Sequence, residues 1–334
     1  MTNRRIVVDT LPQGALEESH FRLEDAPQEA MSPGAVRLRV ILMSIDAANR
    51  SWMQGATYRA AVNAGDPMPT YAICEVIEAR TPRFSKGDIV ATEAVWADEV
   101  IRKDTQIAKL PKVARLENLL SVFGIAGKTA FHGLLSVGKP KSGETVLVSA
   151  AAGSVGGYVG QIAKALGCKV VGIAGGPEKC AWVTEHLGFD ACVDYREGSL
   201  FKAIKAACPD GVDIYFDNVG GEMLETAISL MNERGRIVCC GAISQYESTQ
   251  PTGPRNLPGM LVVKRLRMEG FIVMDFAKRD KAAIARLSEW VDAGKIKVEE
   301  DVVEGLENAP KALIGLLNGD NKGKRMVRVG PDPE

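Results

Sequence analysis

Histidine is scarce in this chain, with three among 334 residues (His20, His132 and His186) far apart in sequence. The seven cysteines nowhere form a C-x-x-C pair, so neither a structural zinc site nor a thioredoxin-like motif is indicated. Their odd number and mostly apolar settings read as free thiols that serve as small hydrophobes. An excess of one charge is missing too: 41 Lys and Arg stand against 42 Asp and Glu, for a net charge of −1. No overall field therefore attracts nucleic acid or an anionic membrane surface. No apolar run approaches the ~20 residues that span a bilayer. The start, Met1-Thr2-Asn3-Arg4-Arg5, leads into an alternating segment rather than an apolar signal core, and a cytoplasmic protein is expected.

Glycine, by contrast, is plentiful, with 34 residues. Val146-Leu147-Val148-Ser149 reads as a short apolar strand, and Ala150-Ala151-Ala152-Gly153-Ser154-Val155-Gly156-Gly157 as a glycine-rich turn that opens a helix. Val155, Val159, Ile162, Ala163 and Leu166 recur at helical spacing, Gly167 closes the helix, and a second strand covers 169–174. Such a βαβ unit of about thirty residues is the setting of a dinucleotide-binding site. Gly153 lets the backbone approach a pyrophosphate, and Gly156 lets the helix pack closely on the strand. The phosphates then meet N–H groups, including those near Ala152 and Val155, at the positive end of a helix. The first place of the G-x-G-x-x-G frame is filled by Ala151; a tight turn serving only a parallel sheet is the plainer alternative.

An NAD-type site sets an acid at the end of the second strand for the ribose 2′-hydroxyl. Here that strand ends in Gly175-Gly176, and Glu178 falls in the first turn of the next helix, where an acid suits the macrodipole. Lys179 beside it is a cation suited to a 2′-phosphate or a solvated helix residue. The missing acid points to NADPH.

The first third is β-rich (36–42, 71–79, 88–91), and the middle third alternates strand and helix, which implies a doubly wound parallel sheet. Strands are expected at 191–194, 212–216, 236–240 and 268–273, and helices at 200–207, 222–231 and 278–291. Residues 244–258, with prolines at 251, 254 and 258, read as an irregular loop and a candidate substrate lid. Ligands of such sheets bind beyond the carboxyl ends of the strands, which gathers 151–156, 175–179, 194–195, 217–221 and 240–243 on one rim. Asp217 and Asn218 on that rim are also ordinary turn formers.

With these residues assembled, the chain resembles the medium-chain dehydrogenase/reductase superfamily, and within it the zinc-independent double-bond reductases: prostaglandin, alkenal and curcumin reductases. The segments that carry the resemblance are AAAGSVGGYVGQIAKALGCKVVGIAGGPEK, GVDIYFDNVGGE, GRIVCCGAISQY, LRMEGF and GDNKGK. It implies a Rossmann domain at 126–295 inserted in a β-rich, GroES-like catalytic domain made of 1–125 and 296–334. It assigns Lys179 and Tyr195 to the 2′-phosphate of NADPH and Thr129 to the nicotinamide side. Asn218, Cys240, Gly241, Ala242, Ile243, Phe271, Ile272, Val273 and Asn321 match positions near the ribose, nicotinamide or phosphates.

The chemistry it implies is hydride transfer from NADPH to the β-carbon of an enone or enal, with an oxyanion donor at the carbonyl. The family tyrosine five residues before Met268 is replaced by Val263; Tyr58 is the expected enolate contact and Tyr246 the reserve. Relatives are often homodimers, so a homodimer is expected. An NADPH:quinone oxidoreductase and a non-catalytic NADPH-binding sensor are the alternatives; a zinc alcohol dehydrogenase is the nearest rival by fold, but this chain lacks the glycine-histidine-glutamate segment that such an enzyme carries.

Overall fold

Alternation of apolar and polar residues in the first third produces β1 (Arg4–Val8), β2 (Phe21–Asp25), β3 (Ala35–Ser44), β4 (Pro69–Ala79), β5 (Ile89–Val95), β6 (Glu99–Lys103) and β7 (Ile107–Lys109), with the short helix α1 (Ala48–Trp52) between β3 and β4. The strand–helix alternation that follows gives α2 (Ile125–His132), β8 (Thr145–Ser149), α3 (Ser154–Ala165), β9 (Lys169–Ala174), α4 (Pro177–Ala181), β10 (Ala191–Asp194), α5 (Leu200–Ala207), β11 (Val212–Asp217), α6 (Gly221–Leu230), β12 (Met231–Cys239), α7 (Leu257–Lys264), β13 (Arg267–Gly270) and α8 (Asp280–Asp292). The chain closes with β14 (Glu300–Glu304), α9 (Ala309–Leu317) and β15 (Lys324–Arg328). This computed structural model describes residues 3–27, 29–111, 115–248, 250 and 252–333.

The chain forms two units, Met1–Leu120 with Glu300–Asp320 and Arg325–Glu334, and Ser121–Glu299 with Asn321–Lys324. In the first, β14-β15-β3-β4-β5-β7 form a sheet to which β6 is added through β3. One edge of β3 serves two partners, since Ala35 to Arg39 face β6 and Leu42 to Ser44 face β15, both antiparallel. Leu38, Val40, Met43, Trp96 and Leu313 lie in its core.

The second unit holds a parallel sheet in the order β10-β9-β8-β11-β12-β13. All of β8 is buried, as is β9 from Val170 onward, the pattern of strands covered on both faces. Ala126, Val159, Ile162, Leu287 and Trp290 of α2, α3 and α8 belong to one apolar layer, and Ile204, Leu224 and Ile228 of α5 and α6 to the other. The order reverses at β8, so the switch point lies at its carboxyl end.

Three expectations are corrected. Met231 opens β12 in an extended conformation instead of closing α6. The strand expected over 268–273 stops at Gly270, because the Asp275 N–H turns back to the Ile272 carbonyl (3.1 Å) and a 3-10 helix starts at Val273. Residues 244–258 are not wholly irregular: Ile243–Gln245 form a 3-10 turn, and α7 starts at Leu257. Pro258 sits in its first turn, where no N–H is required. Positions 249 and 251 of that segment lie outside the described residues.

Gly127 is the tightest point of α2, since a Cβ there would stand 1.9 Å from the Val122 carbonyl oxygen. Backbone rather than a movable side chain opposes it. Gly127→Ala should cost about 1–3 kcal/mol of stability, read as a lower denaturation midpoint in guanidinium; an unchanged midpoint would refute this packing.

Candidate functional site

The turn after β8 is compact. Ala150 adopts φ +50°, and the Gly153 N–H donates to its carbonyl at 2.9 Å. A Cβ on Gly156 would stand 2.3 Å from that same oxygen, so α3 rests directly on the turn. Gly153 is the N-cap of α3 and brings no side chain of its own, which leaves an anion-favouring helix start beside Ala152 and Val155. The Gly323 N–H donates to the Ala152 carbonyl (3.0 Å), and Gly153 and Gly323 form a parallel bridge. The segment around Asn321 is thereby held against the turn, with the buried Asn321 amide donating to the Gly323 carbonyl at 2.9 Å.

At the end of β9, Gly175 and Gly176 follow Ala174. Asp194 Oδ1 accepts the N–H groups of Gly176 and Arg196, each at 2.9 Å. Tyr195 is half exposed between them. On α4, Glu178 pairs with Lys322 at 2.5 Å, and Lys179 follows it.

The ends of β8, β11 and β12 are joined by Asp217, which is 2% exposed. Its Oδ1 accepts the Tyr215 hydroxyl (2.9 Å), the N–H groups of Val219 (3.0 Å) and Gly220 (2.9 Å) and the Ser149 hydroxyl (3.4 Å). Burial pushes this carboxyl above its ordinary range, against those donors. Asn218 is held twice by Ser149, through its N–H to Oγ (2.9 Å) and its amide to the carbonyl (2.8 Å). The Asp217 carbonyl accepts Cys240 (2.8 Å) and Gly241 (3.1 Å), and the Asn218 carbonyl accepts Ile243 (3.3 Å), so Ala242 lies within a pinned loop. The Tyr246 hydroxyl comes 3.6 Å from where a Gly241 Cβ would stand, and burial pushes its pKa up.

An aromatic series supports the segment Phe271, Ile272, Val273. Ring centres lie 6.4 Å apart for Phe216 and Phe271, 6.2 Å for Phe271 and Phe276, and 4.8 Å for Phe276 and His132, the last pair nearly parallel. His132 is buried on α2, one turn beyond the buried Thr129, and its Nε2 lies 3.3 Å from Asp280. Burial pushes its pKa down, over the opposing effect of Asp280.

Every expected cofactor residue therefore belongs to the second unit, most of them at the carboxyl ends of its strands. Tyr58 does not. It belongs to the first unit, 53% exposed and edge-on to Trp52 at 6.5 Å. Val263 is 70% exposed on α7. Ser149 was missed as a support, and a hydroxyl closing an apolar strand was its one local sign; Asp194 was placed on the rim and Gly323 lies in the GDNKGK segment, but their backbone bonds to Gly176 and Ala152 had no sign in the sequence. Among the described residues, no three His, Cys, Asp or Glu side chains converge as metal ligands.

Residues 4–110 match the family described as the N-terminal domain of oxidoreductase, and residues 154–290 that described as zinc-binding dehydrogenase. Over 337 residues the chain is 40% identical to the NADPH-dependent curcumin reductase of Escherichia coli (strain K12), covering 99% of this chain and 98% of that one. The chain belongs to the zinc-independent reductases of the medium-chain dehydrogenase/reductase superfamily. Prostaglandin reductase 1 of Bos taurus, another member of this reductase family, is 40% identical over 317 residues, 93% of this chain and 94% of that one. The structure of CurA from Vibrio vulnificus in complex with NADPH superposes with a TM-score of 0.94 at 38% identity, covering 98% of this chain and all of that one.

The depressed pKa of His132 has a consequence for this reductase. Below the ordinary value of 6.5, the unfolded chain takes a proton that the folded chain refuses, so stability falls with pH through that window. His132→Phe, which keeps a ring against Phe276, should flatten the fall. From pH 7.5 to 5.5, roughly spanning the histidine range, the denaturation midpoint of the parent should drop more than that of the variant; parallel curves would refute the assignment.

Proposed function

We propose that the chain reduces the carbon–carbon double bond of α,β-unsaturated ketones and aldehydes with NADPH. The observation that carries this reading is the 40% identity, across nearly the whole chain, to an NADPH-dependent curcumin reductase. The cradle fits the cofactor, because a glycine-capped helix start receives a pyrophosphate and β9 ends without an acid. NADPH, when bound, supplies a hydride to the β-carbon of the substrate.

In this reading Ala152, Gly153, Val155 and Gly156 receive the pyrophosphate, with Asn321 beside them, while Gly175, Lys179 and Tyr195 serve the phosphorylated ribose. Asn218 and residues 240–243 hold the other ribose, and Thr129, Phe271, Ile272 and Val273 orient the nicotinamide. The tight bonding of Asn218 and its loop supports such orientation, since a misplaced reacting centre loses much of its rate. As the hydride arrives, charge grows on the substrate carbonyl oxygen, and a hydroxyl donor there stabilises it. Tyr246 is the better supported donor. Its hydroxyl stands beside Gly241, and burial raises its pKa from a value at which a phenol already holds its proton at neutral pH. Tyr58, exposed in the first unit, is the second candidate.

Incubation with NADPH and a panel of enones, enals and quinones tests the reading. Products saturated at the double bond with the carbonyl intact are expected. Quinone turnover alone, or NADPH binding with no turnover, would overturn it. Tyr246→Phe should lower kcat by about 10²-fold with NADPH affinity unchanged; the same loss in Tyr58→Phe alone would transfer the role to Tyr58.

We also propose a homodimer. Strand β13 is the last of its sheet, and an unprotected edge invites pairing with another strand. Val262 and Val263 on the preceding helix are 74% and 70% exposed, an apolar pair suited to a self-complementary contact. Light scattering should give twice 35.8 kDa, and Val263→Asp should shift the protein toward monomer. A monomeric parent chain would refute this. Seven free cysteines fit a reducing compartment such as the cytoplasm.

A further inference from the structure

We propose that Arg196 is a second cation for the adenosine 2′-phosphate of NADPH, acting with Lys179 and setting the preference for NADPH over NADH; this rests on the cofactor reading above. The starting point is Gly175. A Cβ built there would lie 2.9 Å from Arg196 Nε, 2.9 Å from a ring carbon of Tyr195 and 3.0 Å from its hydroxyl oxygen. Guanidinium and phenol thus converge on Gly175, the first of the two glycines that end β9. In a doubly wound sheet, this is where the ribose next to the adenine is recognised.

The backbone that carries Arg196 is fixed. Its main-chain N–H donates to Asp194 Oδ1, the same oxygen that takes the Gly176 N–H. One carboxylate oxygen therefore pins the turn after β9 to the turn after β10. The guanidinium carbon lies 5.8 Å from the centre of the Tyr195 ring, an arrangement that arginine's planar group favours. The phenol so limits the directions the cation can take.

Asp194 Oδ1 holds two backbone donors, and Glu178 is paired with Lys322 at 2.5 Å. Lys179, next to Glu178 on α4, is a second cation, in the helix that follows Gly176. A guanidinium fork fits phosphate oxygens in pairs, which a point ammonium does not. A neutral ribose hydroxyl gives that fork little to bind, so the gain falls on the phosphorylated cofactor alone. Arg196 is in this sense a specificity residue, distant from the reacting carbon.

Calorimetric titration of the full-length protein with NADPH, NADH, 2′,5′-ADP and 5′-AMP tests the proposal without relying on turnover. Arg196→Gln should weaken NADPH and 2′,5′-ADP by about tenfold, a charged hydrogen bond discounted for exposure, and leave NADH and 5′-AMP within about twofold. Arg196→Lys, which restores charge but not the fork, should recover part of the loss. Equal weakening of phosphorylated and unphosphorylated ligands would overturn the proposal in favour of a merely structural arginine. No weakening of any ligand would leave Lys179 and Tyr195 sufficient and overturn it as well. A parent protein that binds NADH as tightly as NADPH would overturn the cofactor reading and this one together, whereas a parent preference that Arg196→Gln preserves would overturn this one alone.

Discussion

Asp217 carries a carboxylate to a place water does not reach, and four donors stand in for the lost water. A buried charge without such partners is costly enough to be neutralised or to unfold its surroundings. The loop after β11 therefore has little freedom: the N–H groups of Val219 and Gly220 must point at Oδ1, and Ser149 must stay close. Because Ser149 in turn fixes Asn218, and the Asp217 carbonyl takes the Cys240 and Gly241 N–H groups, one side chain sets the relative position of three strand ends. The candidate nicotinamide-side loops inherit their geometry from that constraint. Their precision comes from backbone bonding, which a mobile side chain would not supply.

The aromatic series plays the corresponding part for Phe271. Sheet, loop and α2 are joined there by ring contacts from Phe216 to His132 rather than by hydrogen bonds. Gly133 makes room for it, since a Cβ there would meet the Phe271 ring at 2.5 Å and that of Phe216 at 2.8 Å. The polar clasp around Asp217 and the apolar stack thus approach the same sheet end by different physics, the one directional and the other volume-filling.

Much of this was legible in the amino-acid order, and the remainder had physical reasons to stay hidden. The turn after β8 could be read because its meaning is local: an apolar strand, glycines at two close contacts and a helical period follow one another directly. The parallel sheet followed from alternation, and the reductase family from long runs around Gly153, Asp217 and Gly241. Ser149 and Asp217 are 68 residues apart, and no local pattern announces such a bond. Arg196 reads as one more charge in a polar turn until Gly175 is seen beneath it. Met231 misled because an apolar residue continues a helix or opens a strand equally well, and tertiary pairing with Val212 decides between them. Tyr58 was reached through family likeness alone, and its exposure in the first unit offers no geometric support for the role.

The bond between Gly323 and Ala152 bears on the order in which the protein is made. Residues 321–324 belong to the second unit although more than twenty residues of the first, 300–320, intervene. A ribosome delivers the β8–α3 turn well before the segment that lies against it. The helices and sheet of the second unit can begin to assemble in the interval, since domains fold as they emerge, but the turn gains its contact with Gly323 only after residues 300–320 of the first unit have been made. A nascent chain therefore folds most of this unit before the candidate phosphate-binding turn is complete.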